Sequence, residues 1–305
     1  MVLSCSYMVD EVERAMGDGR DYGVRLSYAV EREPLGTAGG VRNAADLVAG
    51  LVVVLNGDVL TDADLTAMLR FHRARQAAAT IYLTRVPDPT AYGLVEVDGR
   101  GRIDRFVEKP DAAQVTTDTV NAGAYALDRV LLDRIPAGRA VSIEREFFPA
   151  LLRDGIAFYG WVADHYWLDI GSPGTYRQGQ LDLLAGRVVT DVAPRGVRAD
   201  GPARDMAALG PAATIAPPAV IGAGSRLAAG ARVGPAAVLG ERCVVGDRAV
   251  IEGAVLWEDV SVGADARLVD CVVGAGVQVG PRATIGAGAV VASGVVVPAD
   301  ACLPA

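Results

Sequence analysis

Residues 215–256 read IAPPAV, IGAGSR, LAAGAR, VGPAAV, LGERCV, VGDRAV and IEGAVL, seven successive hexads that each open on Ile, Leu or Val and continue through mostly small residues. A period of six is neither the 3.6 of an amphipathic helix nor the 2 of a half-buried strand. It is the signature of a parallel β-helix, in which one aliphatic side chain per unit enters a narrow core and glycine or another small residue takes the tight corner. After two five-residue steps the phase resumes as VGPRAT, IGAGAV and VASGVV. About fifteen units, three to a coil, predict about five coils of a left-handed parallel β-helix of hexapeptide repeats over 214–305. So many units in phase make chance periodicity a poor explanation.

Upstream of the hexads, 187–213 contain APRGVRADGPARDMAALGPAA, which has no sustained period and reads as a linker. Residues 1–186 alternate short apolar runs with amphipathic helices. RLSYAV (25–30), GLVVVLNGD (50–58), AATIYLTRV (78–86) and IAFYGWV (156–162) are the predicted strands. A helix over 62–76 puts Leu65, Met68, Leu69 and His72 on one face behind the N-cap candidate Thr61, and a second is predicted over 173–185, from Pro173 to the stop at Gly186. The opening MVLSCSYM reads as the second half of a buried strand that runs into a helix carrying Val9, Val12 and Met16 toward the core. Strands alternating with helices predict an α/β domain built on a mostly parallel sheet.

Composition narrows the chemistry. The net charge of -8 argues against an electrostatic grip on nucleic acid or an anionic membrane, so neither is an expected partner. The four cysteines form no CxxC pair, and the first residues lack the pattern of a signal peptide, so a cytoplasmic location is expected. Many hexapeptide β-helix proteins are acyltransferases that use a histidine on the helix as base. The only histidines here, His72 and His165, lie outside the hexads, which disfavours acyl transfer.

Two aspartates follow apolar strands, Asp58 in LVVVLNGDVL and Asp169 in YWLDIGSPGTY. Acids at strand ends suit Mg²⁺, which takes one or two carboxylates plus substrate phosphates. FVEKP ends another strand with Glu108 and Lys109 before a proline that forbids a helix there. EREPLGTAGG (31–40) is a glycine-rich turn into a helix, a place where backbone approaches a flat ligand closely.

Taken in order, EREPLGTAGG, LNGDVL, AYGLVEVD, FVEKP, VNAGAYALD, SIEREFFPALL and WLDIG, followed by the hexads, resemble the sugar-1-phosphate nucleotidyltransferases, most closely the branch that makes GDP-mannose. The resemblance implies a Rossmann-like nucleotidyltransferase domain over 1–186, with GTP, mannose 1-phosphate and Mg²⁺ as its ligands and the β-helix as a homodimer contact. It assigns Asp58 and Asp169 to Mg²⁺ and Lys109 to the sugar phosphate, these three forming the catalytic set. Glu108, Asn121 and the backbone of Gly93 and Gly123 would contact the sugar, while Glu31, Gly36 and Thr37 would meet the base. Glutamate suits guanine, because one carboxylate accepts from both N1–H and the N2 amine.

The same family opens with a strand, a glycine-rich loop of the form GGxGTRLxPLT, a lysine–proline pair and a helix. None of these occurs here, and MVLSCSYM matches the family's second strand. The resemblance therefore implies an N-terminally truncated domain, short by roughly 40 to 60 residues, since a full βαβ unit takes 30 or more. On that expectation the chain as written is nearly inactive, and a non-catalytic sugar-nucleotide sensor or regulatory subunit is the alternative.

Overall fold

The computed structural model describes residues 1–190, 197–198 and 207–304, so most of the linker stretch lies outside the described residues. The chain divides into two compact units, Met1–Gly57 with Ala63–Trp167 and Asp58–Asp62 with Leu168–Ala305. Its elements before the hexads are β1 (Val2–Cys5), α1 (Val9–Met16), β2 (Ser27–Val30), α2 (Gly36–Asn43), β3 (Leu51–Leu55), β4 (Val59–Thr61), α3 (Leu65–Ala74), β5 (Ala79–Arg85), β6 (Gly93–Val97), β7 (Ile103–Glu108), β8 (Thr119–Asp128), α4 (Arg129–Leu132), α5 (Phe148–Arg153), β9 (Phe158–Val162), β10 (Trp167–Asp169) and α6 (Pro173–Leu184).

In the first unit the strand order is β7-β6-β8-β5-β9, with β3 also on β8. Pairing is parallel for β1 with β2 and for β5 with β9, where helical segments cross over. Between 86 and 118 no such crossover is available. There β6 and β7 form an antiparallel hairpin, and β8 returns antiparallel to β3, β5 and β6, so the sheet is mixed. The ten-residue β8 organises the unit. One of its edges serves β5, and the other is shared, β6 meeting it at Val120 and β3 from Ala124 to Asp128.

The sheet's core is aromatic. Phe148 packs its ring 5.2 Å from those of Tyr125 and Phe158, and all three are buried. On α3, Met68 and His72 are buried as the helical spacing requires, and His72 Nδ1 lies 2.8 Å from Thr80 Oγ1. The cap of α3 is Asp64, whose side chain accepts from Ala67 N, because Thr61 is still the last residue of β4. The opening strand differs from expectation in its burial. Among the described residues β1 pairs with β2 alone, and no residue of α1 is buried.

In the second unit the hexads wind into a parallel β-helix, whose strands among the described residues form three six-stranded sheets. Ile221, Leu239, Leu256, Val273 and Val291 stack inward on one face. The corners need small residues because the next coil lies directly above: a Cβ on Gly222 would sit 2.3 Å from the carbonyl carbon of Gly240. Cys243 and Cys271 fill buried corner positions, and burial pushes their thiols up to about 11 and about 12. The outer side of the same face is a column of valines, Val220, Val238, Val255, Val272 and Val290. Helix α6 is tied to this β-helix by Arg177, which donates through Nε to Gly253 O at 2.6 Å and pairs with Asp270.

Candidate active site

The fork in β8 builds the candidate site of the first unit. Between the contacts with β6 and β3, the register of β5 against β8 shifts, leaving Ala122–Ala124 bulged. Gly123 takes φ +75, a left-handed conformation that suits glycine. Asn121 holds the bulge from within, its Oδ1 accepting from Gly123 N and its Nδ2 donating to the Tyr125 hydroxyl, both at 3.0 Å. Asn56, just past β3, donates its backbone N–H to Gly123 O at 2.8 Å, and Trp167 Nε1 donates to Ala122 O at 2.9 Å. Four strands thus contribute to one place: the end of β3, the start of β6, the end of β7 and the middle of β8.

Gly93 and Glu108 are partners in the β6–β7 hairpin. A Cβ on Gly93 would lie 2.9 Å from Glu108 Oε2, so the missing side chain is what lets this carboxylate fold over the strand. Burial, with Glu144 nearby, raises the Glu108 carboxyl above the usual carboxylate range, against the pull of Lys109 and Arg145. Lys109 follows in the left-handed region at φ +49, unusual for a residue with a Cβ, and its N–H donates to Tyr92 O at 3.0 Å. The ammonium is exposed and forms no ion pair among the described residues.

The glycine-rich turn is used differently from what its pattern suggests. Gly36 has φ +70, and a Cβ there would sit 2.8 Å from Val141 O. The glycines let the start of α2 approach the backbone of residues 139–141, where Ala38 N and Gly39 N donate to Val141 O. Glu31 anchors this turn, its Oε1 accepting from Ser4 Oγ and its Oε2 from Leu35 N, both at 2.9 Å. Thr37 Oγ1 donates to Glu144 Oε2 at 3.1 Å and accepts from Ile143 N at 2.8 Å. A groove of about 580 Å³ runs past Glu31 and Thr37, walled by β1 and β3, strands that among the described residues pair only with β2 and β8.

In the second unit Asp58 and Asp169 come together. Ile170 N donates to Asp58 O, and Asp169 Oδ1 accepts from Gly171 N, both at 2.9 Å. A Cβ on Gly171 would lie 3.0 Å from Asp169 Oδ1 and 3.5 Å from Asp58 Oδ2, so both carboxylates flank one notch. Hard oxygen donors facing one open space fit Mg²⁺. Among the described residues no group of three or more His, Cys, Asp or Glu is placed to hold a metal, so two carboxylates are what the chain offers.

Residues 1–186 match the family described as nucleotidyl transferase, and residues 203–303 match the LbH domain of EIF2B subunit epsilon. The chain belongs to the nucleotidyl transferase family. Over 217 residues it is 42% identical to mannose-1-phosphate guanylyltransferase of Mycobacterium tuberculosis, covering 70% of this chain and 60% of that protein. Over 189 residues it is 37% identical to the mannose-1-phosphate guanylyltransferase catalytic subunit beta of Xenopus tropicalis, covering 60% of this chain and 51% of that one. The crystal structure of HddC from Yersinia pseudotuberculosis complexed with GMP-PN superposes with a TM-score of 0.51 at 26% identity, covering 58% of this chain and 76% of that chain. The chain therefore spans 60% and 51% of the lengths of the two curated relatives.

As a nucleotidyl transferase the chain has a Rossmann-like domain followed by a left-handed β-helix. Two features of its site escaped the sequence reading. Glu144, within SIEREFF, links Thr37 to the neighbourhood of Glu108 from a π-helical turn, Ile143–Phe147. Its signal was Ser142, which caps that turn by accepting from Arg145 N. Lys109 is also the only lysine among the 29 basic side chains. In a chain that otherwise uses arginine throughout, this position alone presents a compact ammonium.

Proposed function

We propose that this chain is the nucleotidyltransferase of an NDP-sugar synthesis, forming GDP-mannose and pyrophosphate from GTP and mannose 1-phosphate. The observation that carries this reading is the β8 fork, where Glu108, Lys109 and Gly93 at strand ends meet the Asn121–Gly123 bulge within β8. The domain of 1–186 does the chemistry, 187–213 link it onward, and the β-helix of 214–305 joins two copies in the cytoplasm. Among the described residues no helix is long and apolar enough to cross a membrane.

In the reaction an oxygen of the sugar phosphate attacks the α-phosphorus of the nucleotide in line, and the bond to pyrophosphate breaks. The protein's work is positioning and charge neutralisation. Lys109 places its ammonium against the sugar phosphate, aimed by the left-handed turn at the end of β7. Glu108 accepts from sugar hydroxyls, and Asn121 holds Gly123 so that the bulge presents backbone to the sugar. Glu31 fixes the base-binding turn, and each of its oxygens keeps a lone pair to accept from guanine. Asp58 and Asp169 are the side chains that would hold Mg²⁺, which when bound supplies charge neutralisation on the phosphates.

The test is direct. Purified chain is incubated with GTP, mannose 1-phosphate and Mg²⁺, and GDP-mannose and pyrophosphate are quantified, with Lys109→Gln as control. Formation of both products that falls with Lys109→Gln supports the reading. Binding of GDP-mannose without turnover moves the chain to the sensor role, and the absence of both binding and turnover overturns the proposal.

A further inference from the structure

Outside the candidate site, residues 134–154 of the first unit enclose a second cleft of about 550 Å³. Phe147 and Leu151 give it a buried apolar floor. Its rim carries Arg134, Arg139, Arg145 and Arg153 against two carboxylates, Glu146 and Asp154. Both carboxylates are already committed. Arg134 pairs with Asp154, and Arg139 Nη2 meets Glu146 Oε2 at 2.8 Å.

Arg145 and Arg153 are left over. Both are exposed, and neither forms an ion pair among the described residues. Two guanidinium groups without an ion-pair partner thus line one concavity, in a chain whose net charge is -8. A planar guanidinium presents paired N–H donors matched to phosphate oxygens, and an apolar floor accepts the organic part of a phosphate ester.

We infer that this cleft is a binding site for a small phosphate-bearing anion, separate from the sugar-phosphate position at Lys109, with Arg145 and Arg153 as its anchoring cations. The site is joined to the candidate active site through one turn. Arg145 is adjacent in sequence to Glu144, whose carboxylate takes the hydroxyl of Thr37.

The experiment is calorimetric titration of the full chain with sodium phosphate at pH 7.5 and constant ionic strength, repeated with Arg145→Gln, Arg153→Gln and Lys109→Gln. Saturable binding is expected, weakened roughly tenfold by each arginine substitution, the loss of one charge-assisted contact of about 1.4 kcal/mol. The arginine-dependent binding is expected to persist in Lys109→Gln, which removes only phosphate held at the sugar-phosphate position. Neither arginine has a structural ion-pair partner, so melting temperatures should be retained. If one variant melts early, the other carries the test. No saturable binding, unchanged affinity in the arginine variants, or loss of the arginine-dependent binding in Lys109→Gln overturns the inference. Phenyl phosphate separates the sources: tighter binding than inorganic phosphate assigns an organic monoester, and equal or weaker binding assigns inorganic phosphate itself.

Discussion

Substituting Gly123 by alanine tests whether the β8 fork is built as described. The residue sits at φ +75, where a side chain costs about 1 to 2 kcal/mol through the clash of Cβ with the following carbonyl. A second cost comes from its neighbour. The new Cβ would lie 3.0 Å from both Asn56 Cγ and Asn56 Nδ2, and Asn56 has little freedom to yield because its N–H is bonded to Gly123 O at 2.8 Å. Overpacking of this kind costs about 1 to 3 kcal/mol, so Gly123→Ala should destabilise the first unit by about 2 to 5 kcal/mol. Gly138 is the internal standard, with φ +72 and nothing within 4 Å of its Cβ position. Gly138→Ala therefore carries the backbone term alone, about 1 to 2 kcal/mol. Urea unfolding with amide exchange at Asn56 and Gly123 measures both variants. Equal losses would mean that the contact with Asn56 contributes nothing and that the fork is not the tight junction on which the sugar site is argued.

Lys109→Gln should weaken mannose 1-phosphate binding by roughly 10- to 100-fold, the range for losing a charge-assisted contact; calorimetry reads it. Glu108 accepts from hydroxyls most strongly when ionised, and burial raises its carboxyl, so sugar-phosphate binding should strengthen as pH rises through that titration. Removing the pull of Lys109 should move this rise to higher pH, and Glu108→Gln should abolish it. His72 is held below its ordinary value near 6.5 by burial, so its neutral form contributes stability that is present above that value and lost as pH falls through the folded-state value. Urea midpoints measured from pH 7 to 5 should fall less steeply in His72→Gln. Arg177→Ala should remove the bonds to Gly253 O and Asp270, costing about 1 to 3 kcal/mol and speeding amide exchange along α6. Asp58→Asn with Asp169→Asn should abolish Mn²⁺ binding seen by electron paramagnetic resonance, and retained binding would move the metal elsewhere.

The sequence by itself determined the β-helix, because a repeat of six leaves one solution for burying Ile, Leu and Val while small residues turn the corners. It also determined the buried face of α3, the bounds of α6 and the grouping of glutamate, lysine and proline at the end of β7, since local periodicity and proline chemistry act over neighbouring residues. Tertiary structure decided the rest. The glycines of EREPLGTAGG read as an open approach for a ligand, yet Gly36 and Gly40 are spent on Val141 O and the Glu31 carboxylate, partners that only folding supplies. The direction of β8 was hidden because antiparallel return depends on the absence of a crossover helix, a property of the whole segment from 86 to 118. The pairing of Asp58 with Asp169 around Gly171, and the place of Glu144 beside Thr37, join residues about a hundred positions apart. Long-range registers make such contacts, and a single sequence carries their residues but not their distances.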